Sequence, residues 1–297
     1  MIQTFRNRSF QPVADRDMKR RRYRLMRLCQ FPTQSLPSHI DLRRWMTPVE
    51  NQQDYDACVA NAFAGIIEYL ILRRTGLHID VSRMFIYYNG RMIQGRSWAV
   101  SDDGALKRDA VLGLRKFGVC QEFIWPYEPQ NVNKTPPPHV YEAAKEITVV
   151  PLKIPRNLPA MKTCLANGIP FLIGIRVNVD ETSDEAKQNG GYVSMPDPND
   201  PNLHLWGFHA VMIVGYDDRT QYFIVRNSWG ADWGYFFIPY RYLLERNLVN
   251  VNDGVWAISD IILRLGQLPS VRRMMLPGHN YDARNRHDRV RLRPRYF

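Results

Sequence analysis

The sequence predicts an α+β protein in which helices come first and strands second. Three observations carry this. Apolar residues recur at helical spacing between residues 57 and 117. Past about residue 147, runs rich in Val, Ile, Phe and Tyr take over. A long insert, 179–208, then interrupts the second half, and loops of that length in a compact body are usually functional. Helices segregated from strands in this way suggest two lobes with a cleft between them.

Each element has its own justification. Residues 57–75 read as a helix, with Val59, Phe63, Ile66, Ile67, Leu70 and Ile71 on one face and Gly76 as the stop. A second helix is expected at 104–117. Asp103 would cap it, Leu106, Ala110, Leu114 and Phe117 would face the core, and Gly118 would end it. "KTPPPH" is a loop leading to a short helix at 139–146. "TVVPLKI", "PFLIGIRV", "HAVMIVGYDD", "YFIVRN" and "YFFIPY" read as strands, with a short helix at 157–166 between the first two and a hairpin at "YDDRTQYF". The expected division is a basic arm at 1–35, a mainly helical lobe at 36–147, a mainly β lobe at 148–265 and a basic tail at 266–297.

Of the net charge of +11, residues 1–28 carry +7 and residues 271–297 carry +6, which leaves the 242 residues between them at −2. Arginine-rich ends with interleaved aromatics attract polyanions such as nucleic acid by counterion release, and they equally suit solvated ends without a partner. No run of 18 apolar residues occurs, so no membrane span is expected. No apolar segment follows the basic start, so no secretory signal is expected and an intracellular setting, cytoplasm or virion, is favoured. The four cysteines, Cys29, Cys58, Cys120 and Cys164, show no CxxC spacing. That argues against zinc, and no metal or other cofactor is expected. Cys120 and Cys164 are expected as buried thiols, and Cys29 as a bystander in the arm. His39 and His78 are read as structural or exposed, His204 as a loop residue, and Asp217 and Asp218 as hairpin residues.

Cys58 opens the first helix, where free N–H groups and the helix dipole favour a thiolate. A thiol nucleophile also needs a base, a group orienting that base, and donors for an oxyanion. "GFHAVMIVGYDD" puts His209 at the start of one strand, and "VRNSWGADWG" puts Asn227 at the end of the next. A hairpin can bring these two side by side, with Trp229 and Trp233 shielding them from water.

These segments resemble the papain family of cysteine peptidases, its bacterial and viral branch most of all. "PVENQQDYDAC" is similar to the family's glutamine-to-cysteine segment, "FHAVMIVGY" to its histidine strand and "VRNSWGADWG" to its asparagine–tryptophan segment. "DDGALKRDAVLGLRKFGVCQEFIWPY" is similar to its non-primed substrate wall, and the likeness spans about 36–262. The resemblance implies a papain-like fold, its second lobe an antiparallel, barrel-like sheet, and a polypeptide substrate. In it Cys58 attacks the scissile carbonyl, His209 serves as base and then acid, Asn227 orients His209, and the Gln52 side chain with the Cys58 N–H forms the oxyanion hole. Asp103 and Gly104 would pair with substrate backbone. Ala105 and Leu106 would line a pocket for an apolar P2 side chain, and the Phe208 carbonyl would face the cleft beside Trp229.

Tyr55, Asp56 and Val59 stand where the family has a cysteine, a glycine and an aromatic residue. Asp56 can cap the helix and also repels a neighbouring thiolate, by about 2–3 kcal/mol at an effective dielectric of ~20. The arm at 1–35 is expected to act as a short prosegment, clipped near Leu36-Pro37. A rival reading keeps the scaffold, gives up the chemistry, and binds nucleic acid or virion components through the tails. A third transfers the acyl group to an amine.

Overall fold

The computed structural model describes residues 35–93, 101–177, 186–197, 200–205 and 207–264, with Arg20, Tyr23, residues 25–27 and Asp184 besides. Most of the expected arm, and all of the expected tail at 266–297, lie outside the described residues. Helices α1 (Cys58–Thr75), α2 (Arg83–Ile93), α3 (Lys107–Phe117) and α4 (Pro138–Ala144) precede most of the sheet. Then come β2 (Ile147–Ile154), α5 (Leu158–Ala166), β3 (Phe171–Val177), β4 (Gly207–Asp217), β5 (Tyr222–Arg226), β6 (Tyr235–Pro239), α6 (Tyr240–Leu244) and β7 (Val255–Leu263). A short strand ahead of them all, β1 (His39–Asp41), departs from the helices-first order.

The strands form one antiparallel sheet in the order β2-β7-β3-β4-β5-β6. β1 pairs with the far end of β4, Ile40 against Tyr216, and the Tyr216 hydroxyl donates to the Pro37 carbonyl at 2.6 Å. None of the described helices is long and apolar enough to cross a membrane.

α1 is the spine of the core. Its expected apolar face is buried apart from Leu70, but so is nearly every other residue from Val59 to Tyr69, because α2 packs on one side and β3, β4 and β7 on another. Gly76 ends it in the left-handed conformation (φ 73°), its N–H bonded to the Leu72 carbonyl. A polar clamp fixes the segment leading into α1. The buried Glu68 carboxyl accepts from the Thr47 hydroxyl (2.8 Å) and the Val81 N–H (3.1 Å). The Arg226 guanidinium donates to the Thr47 and Pro48 carbonyls, both at 2.6 Å. Burial and the charge of Glu50 push Glu68 up to about 8, so the clamp works as a neutral acid.

The capping expectations need correction. α3 starts at Lys107 rather than 104, and Asp103 does not cap it. Its free N–H groups are taken by Asp253, 146 residues away, which accepts from Lys107 N at 2.6 Å and Arg108 N at 3.0 Å. Nor does Asp56 cap α1: Ala57 occupies the cap position and no side-chain bond is made there. Gly118 does end α3. It has φ 76°, and a Cβ on it would sit 2.1 Å from the Ala144 carbonyl oxygen, so no other residue fits. Cys120 and Cys164 are buried thiols, not a disulfide.

Candidate active site

The site forms where the N-terminus of α1 meets the start of β4. Cys58 is the first residue of the helix and half-buried, and its Sγ accepts the Ala210 N–H at 3.4 Å. Ala210 directly follows His209, so the sulfur lies against the histidine's own strand. His209 is buried and pairs across β3 with Ile175.

Asn227 follows β5 and brings Oδ1 to 2.8 Å from His209 Nε2. The same Oδ1 accepts the Ser228 N–H at 2.9 Å. An amide oxygen taking a second N–H faces the ring as an acceptor, so Nε2 carries the imidazole proton and Nδ1 is left with the lone pair. Trp229 stacks on the imidazole, centroids 4.5 Å apart and planes 23° off parallel, and Trp233 lies 6.1 Å beyond it.

Gln52 is held by five bonds, one of them from the Tyr55 N–H to its carbonyl at 3.4 Å. Its N–H donates to the Ser228 carbonyl (2.7 Å), and its carbonyl accepts the Tyr127 hydroxyl (2.8 Å). Its Oε1 accepts the Ser228 hydroxyl (2.7 Å), and Nε2 donates one hydrogen to the Tyr55 carbonyl (2.9 Å), leaving the other. Asn51 bridges to Trp229, and Gly230 N–H bonds the Glu50 carbonyl at 2.9 Å, so the glutamine loop is zipped to the asparagine segment. Gln53 takes a left-handed conformation in that loop (φ 55°), steadied by the Asn51 side chain at 2.8 Å.

Asp103, Gly104, Ala105 and Leu106 form an irregular segment ahead of α3. Gly104 has φ 82°, and its N–H already donates to the Tyr87 hydroxyl at 3.2 Å. Asp102 ties this segment to the loop before Cys58, accepting the Asp56 N–H at 3.2 Å and the Tyr87 hydroxyl. Phe208 is exposed, with the Arg176 guanidinium 4.5 Å over its ring. Glu68, His78 and Asp80 each bring one ligand atom within 4.8 Å of the others. Glu68 is already engaged by Thr47 and Val81, and His78 by Asp80 at 2.6 Å.

Burial pushes the Cys58 thiol up. The Ala210 and Val59 N–H groups oppose that shift, Asp56 adds to it, and Lys107 opposes it. Burial pulls His209 down to about 4, against the Asn227 hydrogen bond. Neither group is easily charged alone, and moving the thiol proton to Nδ1 creates the two charges together. Asp56 is itself raised, by burial and then by Asp102.

Four supporting residues escaped the sequence reading. Ser228 sits inside the quoted asparagine motif and could have been found there. Asp102 and Tyr127 stand at the two ends of the quoted wall segment and Tyr87 lies outside it, but all three act through contacts between distant segments, which no local pattern encodes.

Residues 36–246 match the profile of the papain family cysteine proteases. A peptidase C1-like protein of Acanthamoeba polyphaga mimivirus is 31% identical over 239 residues, 74% of each chain. Cathepsin L2 of Homo sapiens is 27% identical over 208 residues, 67% of this chain, and the match spans only 58% of the cathepsin. Among solved structures, xylellain, a cysteine protease from Xylella fastidiosa, superposes with a TM-score of 0.63 at 29% identity, covering 88% of this chain and 94% of its own.

Proposed function

The chain belongs to the papain family of cysteine proteases, and from that premise we propose that it hydrolyses peptide bonds through a thioester on Cys58. His209 Nδ1 takes the thiol proton as sulfur attacks the carbonyl carbon, then gives it to the departing amine. Water then attacks the thioester, His209 again acting as base, and the acid product leaves. Asn227 fixes the tautomer that makes this possible. The remaining Gln52 Nε2 hydrogen and the Cys58 N–H receive the oxyanion, an interaction typically worth on the order of 10²–10³ in rate per donor.

The single observation that carries this reading is the double acceptance by Asn227 Oδ1, from His209 Nε2 and from Ser228 N. It leaves Nδ1 as the basic nitrogen, on the strand whose next residue, Ala210, donates its N–H to the Cys58 sulfur. Ala105 and Leu106, both half-buried, favour an apolar P2 side chain. The test is labelling by a peptidyl epoxide under reducing conditions, with turnover of a fluorogenic peptide carrying an apolar P2 residue. Wild type should be labelled at Cys58 and should cleave. If Cys58→Ala gives equal signal in both assays, the reading is wrong.

A further inference from the structure

Asp56 sets a negative charge near the sulfur, and a lysine on a different element stands against it. Lys107 opens α3, directly after the wall formed by Asp103–Leu106, yet its side chain is only 2% exposed. Its ammonium lies 3.1 Å from Asp253 Oδ2, and the same carboxylate accepts its backbone N–H at 2.6 Å. Held at both ends by one group, the lysine cannot swing out to water.

The ammonium rests on β3 at Gly174, where a Cβ would come to 3.0 Å from Nζ. Gly174 pairs with Ala210 across β3 and β4, and the Ala210 N–H is the donor that touches Cys58 Sγ at 3.4 Å. Gly174, against which the ammonium rests, is one strand spacing, about 4.8 Å, from the β4 backbone that touches the sulfur. A buried ion pair is a weak source of stability, since desolvation consumes most of its attraction, so a cation kept here calls for another use. The coupling runs both ways: the ammonium favours the thiolate, and Cys58 in turn helps keep Lys107 charged against the burial that opposes it.

We propose that Lys107 is a positioning residue of this site, whose buried ammonium stabilises the Cys58 thiolate and offsets Asp56. The proposal rests on Cys58 being the nucleophile. The charged groups bearing on the sulfur are Asp56 from its own loop and Lys107 from α3, while His209 of β4, pulled down to about 4, is neutral there. Those bearing on the ammonium are Asp253 and Cys58, with Asp109 and Arg108 acting beside Asp253.

The experiment follows the pH dependence of Cys58 alkylation by iodoacetamide in the full chain, read by mass spectrometry of the Cys58 peptide. In Lys107→Met the midpoint should rise by about half a pH unit or more. Lys107→Arg should bring it back, and Asp56→Asn should lower it. A folded Lys107→Met protein with an unmoved midpoint overturns the proposal. Should that variant not fold, Lys107→Gln, which removes the charge and keeps a donor toward Asp253, is read by the same criterion. A wild-type Cys58 that never alkylates defeats the nucleophile reading itself. A reactive wild type with an unmoved variant defeats only the role of Lys107.

Discussion

Replacing Glu68 by Gln should change how stability depends on pH, and the structure sets the size. The carboxyl is held up to about 8 from an ordinary 4.5, by burial first and Glu50 second. Between those two values the unfolded chain has released the proton while the folded one keeps it. Folding therefore takes up a proton there, and stability falls as pH rises, by up to ~1.4 kcal/mol per unit. Summed over the interval, the loss comes to about 4–5 kcal/mol. Below the lower value the contribution is fully present, and above the upper one it is gone. Glutamine keeps both hydrogen bonds of the neutral acid, one to Val81 N–H and one with the Thr47 hydroxyl, and cannot ionise. Urea unfolding from about pH 5 to about pH 8, with both proteins carrying Cys58→Ala against self-digestion, isolates the effect. Wild type and Glu68→Gln should match near the acid end, and the variant should gain progressively toward the alkaline end. A difference between them that stays constant across the range would refute the reasoning. The site would feel the same loss, because this clamp holds the segment that leads to Gln52 and Cys58.

Asn227→Ala should lower kcat/KM on the order of 10², measured with a fluorogenic peptide, since the imidazole then loses the acceptor that fixes its tautomer. Ser228→Ala strips a donor from Gln52 Oε1 and should cost about 1–3 kcal/mol, read as a drop in kcat with KM nearly kept. Gly118→Ala puts a Cβ at 2.1 Å from the Ala144 oxygen in a left-handed conformation, and should lower thermal stability by at least ~2 kcal/mol without changing the kinetics of the protein that remains folded.

What the sequence made legible was local or carried by motif. The run from Val59 to Ile71 announced α1, and Gly76 and Gly118 announced the ends of two helices. Four elements went unread, the five-residue α6 among them. In α2, Phe85, Tyr87 and Tyr88 blur the helical signal, and Arg91 looks like surface although it is buried over the Tyr87 ring. In β7, Asp260 breaks an apolar strand. It is buried because Arg74 of α1 reaches it, a pairing 186 residues apart. β1, at three residues, is too short to announce itself. At the site, Cys58, His209 and Asn227 could be picked out because each opens or closes an element. Asp103 was assigned the cap of α3 because a local acid is the ordinary choice there, whereas Asp253 does the work through a contact that only the folded chain makes.

The β1 pairing has a practical bearing on where the chain can be shortened. Its three residues are stitched to the same strand that carries His209, at the end remote from the imidazole, and Ser38 adds a further stitch by accepting the Asp218 N–H at 2.8 Å. An expression boundary drawn at Leu36 keeps every one of these stitches. One drawn at Arg43 strips the flank of β4 and offers its bare edge to any other chain in solution. Trimming the amino-terminal side by seven residues is thus the difference between a well-behaved sample and a sticky one.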